Sequence, residues 1–158
     1  MLRVEPKDTA RVAFIPPLYW GLGFLLSLVP AALLPVTLPL PAWARITVGL
    51  ALTGYAAFFL LGALRELHAA RTPVNPFQPT SAIVTTGPYR YSRNPIYLGN
   101  TLLYLALTLV TGSLWPVLYL PIILLLLQRG VIEREEIYLA RLFGSTYLDY
   151  KARVRRWL

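Results

Sequence analysis

Two adjacent acidic residues, Glu135 and Glu136, stand in a segment that otherwise has the pattern of an amphipathic helix. Segment 131–143 predicts a helix that ends at Gly144. Projection at about 100° per residue gives one apolar stripe. The stripe consists of Ile132, Leu139 and Phe143, with Val131, Tyr138 and Leu142 beside them. Glu135 falls inside this stripe and Glu136 at its edge, while Glu133 lies well outside it.

A carboxylate that faces an apolar, membrane-proximal interior is costly unless it is paired, and such groups mark functional sites. The two acids therefore predict a binding or catalytic site on this helix. The alternative is a salt bridge that only fastens the helix to the rest of the molecule. Its candidate partners are Arg90, Arg93 and Arg129.

A second polar segment, 85–100, leads directly into an apolar stretch. Pro95 suits the first turn of a helix, and Asn94 suits its N-cap. The free N–H groups of this helix start, flanked by Arg90 and Arg93, are expected to form a cradle for an anion or a carboxylate. The alternative is that Asn94 and Pro95 only begin a helix and that the arginines meet lipid phosphates.

The composition indicates a membrane protein. The residues AVILMFWYC make up 56% of the chain and charged residues 14%, whereas a soluble domain carries about a quarter charged residues. Three stretches contain no charged residue: 12–44, 46–64 and 94–128. The chain is therefore predicted to be an all-α, polytopic membrane bundle that forms one domain over residues 1–158.

The lengths of these stretches predict the membrane spans. A bilayer core takes about 20 helical residues, so the first two stretches hold one span each, near 13–34 and 44–64. The third is too long for one helix and is best cut at Gly112-Ser113, which gives spans at 96–111 and 115–129. Four spans are preferred, and a break at Pro30 would give a fifth.

The cations predict the orientation. Fourteen of the fifteen Lys and Arg residues precede the first span, follow the second or lie in the tail, and Arg45 is the exception. The positive-inside rule places the N-terminal segment, the long loop and the C-terminal tail in the cytoplasm. This topology and anionic lipids explain the net charge of +8 without a nucleic-acid partner. No cleavable signal peptide is expected.

Composition also limits the chemistry. The chain has no cysteine and a single histidine, His68, which excludes disulfides, thiol catalysis and a multi-histidine metal site. A last helix is predicted over 145–156, with three residues on one face toward protein or lipid: Tyr147, Tyr150 and Val154. Lys151 and Arg155 are expected to reach lipid headgroups, and Trp157 to anchor the chain at the interface.

These segments together resemble the isoprenylcysteine carboxyl methyltransferase and phospholipid methyltransferase superfamily. The resemblance rests on Gly87-Pro-Tyr-Arg-Tyr-Ser-Arg-Asn-Pro-Ile-Tyr-Leu-Gly99, then Glu135-Glu-Ile-Tyr-Leu139, Phe143-Gly144, Tyr147 and Tyr150. The family pattern is R-H-P-x-Y-x-G, then E-E-x-x-L, then F-G-x-x-Y-x-x-Y. The resemblance covers residues 71–156, about half the chain, and the first two spans match only in being apolar.

The resemblance implies an S-adenosylmethionine-dependent methyltransferase whose cofactor lies between the loop before the third span, the start of that span and the E-E helix, under the C-terminal segment. The residues it implies for the cofactor are Tyr89, Arg93, Asn94, Tyr97, Gly99, Asn100, Glu135 and Glu136. Those assigned to catalysis are Glu136, Tyr147 and Arg90. Two departures matter: Asn94 replaces the usual histidine, as in the phospholipid-methylating branch, and Val154-Arg155-Arg156 replaces V-P-R, so the path of the closing segment is open.

The expected acceptor is a lipid or lipophilic small molecule that arrives laterally from the bilayer. An isoprenoid or prenylcysteine carboxylate and a small thiol need no general base, whereas a phospholipid amine does, and Glu136 or Tyr147 would supply it. Two other classes remain open. One is an NADPH-dependent membrane reductase of the sterol type, and the other is a non-catalytic lipid-binding protein in which the two acids only bridge arginines.

Overall fold

The structure, a computed structural model, describes residues 9, 10, 12 and 15–158. Six α-helices make up most of this part of the chain. Their bounds are α1 Pro17–Leu33, α2 Ala42–Ala69, α3 Pro95–Thr111, α4 Trp115–Leu127, α5 Glu133–Phe143 and α6 Ser145–Arg153. The only extended pairing in the described residues is an isolated bridge between Thr37 and Ser113. The prediction of an all-α fold is confirmed.

Proline and glycine set the helix boundaries. The predicted break in the long apolar stretch is confirmed at Gly112, which follows α3 in the left-handed conformation with φ 67°. Pro116 lies in the first turn of α4, as predicted. Pro30 does not divide α1, which continues to Leu33. The loop 85–94, which carries the first motif and is the motif-bearing loop, also forms a short 3-10 turn, Gly87–Arg90.

The helix predicted over 131–143 is not separate from the fourth apolar helix. α4 continues into α5 through one π-helical turn, Gln128–Ile132, so Trp115–Phe143 is one helix of 29 residues. At about 1.5 Å per residue this helix is about 43 Å long, which exceeds a hydrocarbon core of about 30 Å. Its charged second half therefore extends beyond the apolar layer that its first half can occupy.

In the part of the chain that the structure describes, two helices are long and apolar enough to cross a membrane, Ala42–Ala69 and Trp115–Phe143. The other two apolar helices, α1 and α3, have 17 residues each. At about 26 Å they are slightly shorter than the hydrocarbon core.

α3 lies between α2 and α1, and its first turn follows the motif-bearing loop. On the α2 side the backbones approach closely, because a Cβ atom on Gly99 would lie 2.6 Å from Leu60 Cγ. On the other side, Trp20 Nε1 of α1 donates a hydrogen bond of 3.2 Å to Thr101 Oγ1. α1 in turn packs against α4. The start of α3 is thus held from both sides.

The opposite end of the bundle is closed by backbone pairing. The connection between α1 and α2 pairs with the turn between α3 and α4: Leu38 N donates to Gly112 O at 2.7 Å, and Leu114 N donates to Val36 O at 2.9 Å. Arg45, in the first turn of α2, lies against this turn. The two helix pairs are therefore tied together at the end away from the motif-bearing loop.

Candidate functional site

A cavity of about 470 Å³ opens where α1 begins and α2 ends. The start of α3, the helices α5 and α6, and loop 72–84 form its other walls. Its volume is typical of small-molecule sites, which measure about 300–1,000 Å³. Eight of the ten residues singled out in the sequence line it: Tyr89, Arg93, Asn94, Tyr97, Asn100, Glu135, Glu136 and Tyr147.

The other two residues, Gly99 and Arg90, are not among those that line the cavity. Gly99 faces α2, where its missing side chain allows the close contact with Leu60. Arg90 ends the 3-10 turn with an exposed side chain. The structure thus gives Gly99 a packing role and leaves Arg90 at the surface.

Glu136 is surrounded by cations. Its side chain is 8% exposed and lies 3.0 Å from Arg93 Nη1 and 3.2 Å from Lys151 Nζ. Arg156 donates two hydrogen bonds to it, from Nε at 2.8 Å and from Nη2 at 2.9 Å. The hydrogen bonds to Glu136 raise the pKa of Arg156 above its usual range. The salt-bridge alternative therefore applies to Glu136, with one expected partner, Arg93, and two from the tail.

The C-terminal tail departs from its predicted path. α6 ends at Arg153 and not at residue 156, because the chain beyond it pairs with the loop before α3. The carbonyl of Arg155 accepts a hydrogen bond from Arg93 N at 3.0 Å, and that of Arg156 accepts one from Asn94 Nδ2 at 2.9 Å. The tail thus lies over the start of α3.

One other expectation for the tail is wrong. Lys151 does not extend freely toward headgroups, because it pairs with Glu136. Trp157 packs against the edge of the hydrophobic core, and its role as an interface anchor stays a prediction. The apolar face of α6 turns toward protein, where Tyr147 and Tyr150 are both buried.

The start of α3 keeps its free amides. Asn94 is the N-cap residue, as predicted, and Pro95 begins the helix. The side chain of Asn94 makes no capping hydrogen bond, and its Nδ2 donates to the tail carbonyl. The positive end of the helix dipole therefore remains available at the cavity wall.

Arg93 has a buried donor that no described residue satisfies. Its side chain is 9% exposed, and Nη1 also donates to the hydroxyl oxygen of Tyr147 at 3.3 Å. Its Nε is buried and has no hydrogen-bond partner among the described residues. A buried donor without an acceptor is costly, so this atom identifies a position where a ligand oxygen would be stabilised.

Glu135 is an acidic residue without a described cation beside it. Its Oε1 accepts a hydrogen bond of 2.8 Å from the hydroxyl of Tyr97, whose ring packs against Trp20 at a centroid distance of 6.1 Å. In the described part of the chain, no lysine or arginine lies within ion-pair distance of Glu135. Its carboxyl group, which lines the cavity, has no counter-charge among the described residues, and burial raises its pKa to about 7 despite the hydrogen bond from Tyr97.

The tyrosines around the site stay protonated at neutral pH. Burial, and then the charge of Glu136, raise the pKa of Tyr147 above its usual value despite Arg93. Burial also raises the pKa of Tyr89 and of Tyr150, and the hydroxyl of Tyr150 donates to the carbonyl of Tyr89 at 2.8 Å. Tyr147 is therefore a hydrogen-bond donor at neutral pH, which disfavours a role as a general base.

Two walls of the cavity were not predicted from the sequence. Loop 72–84 contributes Phe77 and its neighbours, and the segment before α1 contributes Ile15 and Pro16. The loop is fastened to α5 by a hydrogen bond of 3.1 Å from Thr80 N to the hydroxyl of Tyr138. Local sequence carries no signal for this contact, because it depends on tertiary packing.

Comparison with known proteins identifies the class of the chain. The pattern of the phospholipid methyltransferase family matches residues 44–146, which is more than half of the sequence, and the chain belongs to this family. The match begins in α2, earlier than the recognisable motifs, and ends before Tyr147. With the two long apolar helices, it identifies a membrane protein of a methyltransferase family.

One similar protein has no stated function. An uncharacterized protein of Haemophilus influenzae is 43% identical over 63 residues, which are 40% of this chain and 100% of that protein. No solved structure matches the chain.

Proposed function

We propose that the protein is an integral membrane methyltransferase that uses S-adenosylmethionine and acts on a lipophilic acceptor. One observation carries this proposal: two incompletely paired residues line the same cavity. Glu135 has no counter-charge among the described residues, and the buried Nε of Arg93 has no described acceptor. A ligand that bears both a cation and a carboxylate would satisfy both. The amino-acid end of S-adenosylmethionine has this chemistry.

The residues fit the cofactor as follows. Arg93 Nε and the free amides at the start of α3 would hold its carboxylate. Glu135 would hold its ammonium group or ribose hydroxyls, and the ring faces of Tyr89 and Tyr97 suit a neighbouring cation. When bound, S-adenosylmethionine supplies a methyl group activated by its sulfonium. The protein's contribution is to align donor and acceptor in a dry cavity.

Glu136 has a different role in this proposal. Its carboxylate is paired with three cations, which stabilise the ionised form and leave it little capacity to accept a further proton. It positions Arg93 and closes the tail over the cavity. An acceptor that is already ionised, such as a carboxylate or a thiolate, needs no base from this cluster.

The surface of α3 supports a lipophilic acceptor. Ile96 and Asn100 line the cavity, and the same helix face continues toward the far end of the bundle as Leu103, Leu107 and Val110, which are 37%, 47% and 66% exposed. This stripe lies between the side of α3 that packs on α2 and the side that packs on α1. A hydrocarbon chain on the stripe would have its reactive head in the cavity.

The orientation is part of the proposal. Four spans, α1 to α4, place the cavity, the N-terminal segment and the tail on the cytoplasmic side, in agreement with the distribution of cations. The cysteine-free chain permits a direct test. In right-side-out vesicles, an impermeant maleimide should label Leu40→Cys but not Thr85→Cys, and the pattern should reverse in inverted vesicles. Labelling of both variants from one side would contradict this orientation.

Cofactor binding is tested by calorimetry with S-adenosylhomocysteine on the purified protein. Glu135→Gln should weaken binding at least tenfold, because an ion pair in a buried site is worth about 1.5–3 kcal/mol. Glu133→Gln is the matched control, since Glu133 lies on the same helix but not in the cavity, and its affinity should stay within about twofold of wild type. A folded wild-type protein with no affinity for the ligand would refute the proposal.

The acceptor is tested with labelled S-adenosylmethionine and n-alkyl carboxylates, thiols and amines of increasing chain length. The head group that accepts label identifies the reacting atom. The value of kcat/KM should rise by up to about fourfold per methylene, since each buried CH₂ is worth about 0.8 kcal/mol, until the chain extends past the α3 stripe. Rates that do not depend on chain length would refute the role of the stripe.

A further inference from the structure

At the end of the bundle away from the cavity lies an arginine with no acidic partner among the described residues. Arg45 stands in the first turn of α2, and no acidic residue occurs between positions 9 and 65 or between 67 and 132. Glu66, the acid on the same helix, is about 32 Å away along the helix axis. The remaining described acids belong to α5 and α6, beside the cavity. No described carboxylate can neutralise this cation.

The arginine is held in a fixed position by the turn that follows α3. A Cβ atom on Gly112 would overlap Arg45 Nη1, so the guanidinium lies directly against the backbone of this residue. Gly112 is itself fixed, because its carbonyl accepts the hydrogen bond from Leu38 N. Arg45 Nε is buried and has no hydrogen-bond partner among the described residues. The cation is therefore ordered but incompletely satisfied.

The surroundings of Arg45 are those of a membrane surface. Trp43, two residues earlier, is 72% exposed, and Trp115 Nε1 donates to the carbonyl of Leu34 at 2.7 Å. Tryptophans concentrate at the level of lipid headgroups. α2 is also long and apolar enough to cross the membrane, which places its first turn at the same level. The start of α2 has no side-chain cap and no acid in its first turn, so its dipole adds positive potential.

We propose that Arg45 binds the phosphate of an anionic phospholipid in the leaflet opposite the cavity. A guanidinium offers paired donors to phosphate oxygens, and a local charge of +1 without a carboxylate favours a lipid with net negative charge over a zwitterionic one. This site is independent of the cofactor cavity. It supplies the missing counter-charge and anchors the connection between the helix pairs.

The test compares lipids on the purified, full-length protein in a non-ionic detergent. Phosphatidylglycerol, titrated into the micelles, should raise the Tm of the wild type in a saturable way, and phosphatidylcholine at the same concentration should raise it less. Arg45→Gln should weaken the apparent affinity for phosphatidylglycerol at least tenfold. Arg45→Lys, which keeps the charge but loses the paired donors, should weaken it by a smaller factor.

Arg155→Gln is the matched control for charge, because it removes one exposed cation at the opposite end of the bundle. Its affinity for phosphatidylglycerol should stay within twofold of wild type. Equal losses in the two variants would show nonspecific attraction and overturn the proposal, as would an unchanged affinity in Arg45→Gln. Inorganic phosphate that stabilises the wild type as well as the lipid does would also overturn it, because the site would then bind a free anion.

A second measurement covers the case in which Arg45→Gln is too unstable for titration. Native mass spectrometry of the wild type, released gently from micelles that contain phosphatidylglycerol, should show one retained lipid. Arg45→Lys should retain less lipid, and Arg155→Gln should retain as much as the wild type. Retention that does not differ among the three proteins would contradict an assignment to Arg45.

Discussion

The two neighbouring acids of α5 stand in opposite environments. Glu136 is paired with Arg93, Lys151 and Arg156, whereas Glu135 has a tyrosine hydroxyl as its partner. One residue along a helix corresponds to a rotation of about 100°, which is enough to move a carboxylate from the closed ionic cluster to the open cavity. A glutamate can therefore stabilise the fold where cations surround it, or remain available to a ligand where they do not.

The largest expected effect on stability is at the ionic cluster of Glu136, Arg93, Lys151 and Arg156. Glu136→Gln should lower the free energy of unfolding by about 3 kcal/mol, because it leaves buried Arg93 beside two further cations without an anion. The measurement is thermal unfolding in detergent, with Glu133→Gln as the control. A variant as stable as that control would show that the cluster does not fasten the tail, and the contrast between the two acids would fail.

The next effect concerns the tail. Arg156→Gln should lower the free energy of unfolding by about 1.5 kcal/mol, because it removes two hydrogen bonds between charged groups. Limited proteolysis should then cleave the chain after α6 more rapidly than in the wild type. If stability falls but cleavage does not change, Arg156 contributes to the cluster without holding the tail.

A smaller effect is expected at the exposed edge of the cluster. The side chain of Lys151 is 43% exposed, so solvent and salt screen its interaction with Glu136. Lys151→Gln should change the free energy of unfolding by about 0.5 kcal/mol or less, and this difference should shrink at high salt. A salt-independent loss comparable with that of Arg156→Gln would mean that the whole cluster is shielded from solvent.

The smallest loss of stability is expected at Glu135. Glu135→Gln keeps an acceptor for the hydroxyl of Tyr97 and removes a carboxyl group whose pKa burial raises to about 7. Without ligand the variant should therefore be at least as stable as the wild type at neutral pH, and any gain in the free energy of unfolding should disappear below pH 4.5. Stabilisation by S-adenosylhomocysteine should nevertheless be lost. A large loss of stability without ligand would mean that Glu135 stabilises the fold as Glu136 does, and the distinction between the two acids would fail.

Much of this arrangement could be predicted from local sequence. The helix break at Gly112 and the start at Pro95 follow from backbone preferences that act over a few residues. The inward face of α5 was visible because the two acids interrupt an otherwise apolar stripe. Seven of the eight predicted residues that line the cavity occupy two short segments whose patterns are local, 85–100 and α5, and the eighth, Tyr147, lies in α6.

The remaining features depend on contacts between distant segments. The sequence offered Arg90 and Arg129 as partners for the acids, but Arg156 and Lys151 provide ion pairs instead, because the tail turns back over α3. Gly99 was expected at the cofactor, yet its missing side chain serves the contact with α2. Neither result could follow from spacing, since each is decided by which surfaces meet in the folded bundle.

The π-helical turn at Gln128–Ile132 gives the long helix an uneven tolerance to changes in length. A π turn accommodates one residue more than an α-helix would in the same place. Removal of one residue from this turn would restore regular α-helix and leave the apolar face of α4 and the acidic face of α5 where they are. Removal of a residue elsewhere between 115 and 135 would turn one face by about 100° against the other. Length variation among relatives should therefore be accepted at this turn and rejected on either side of it.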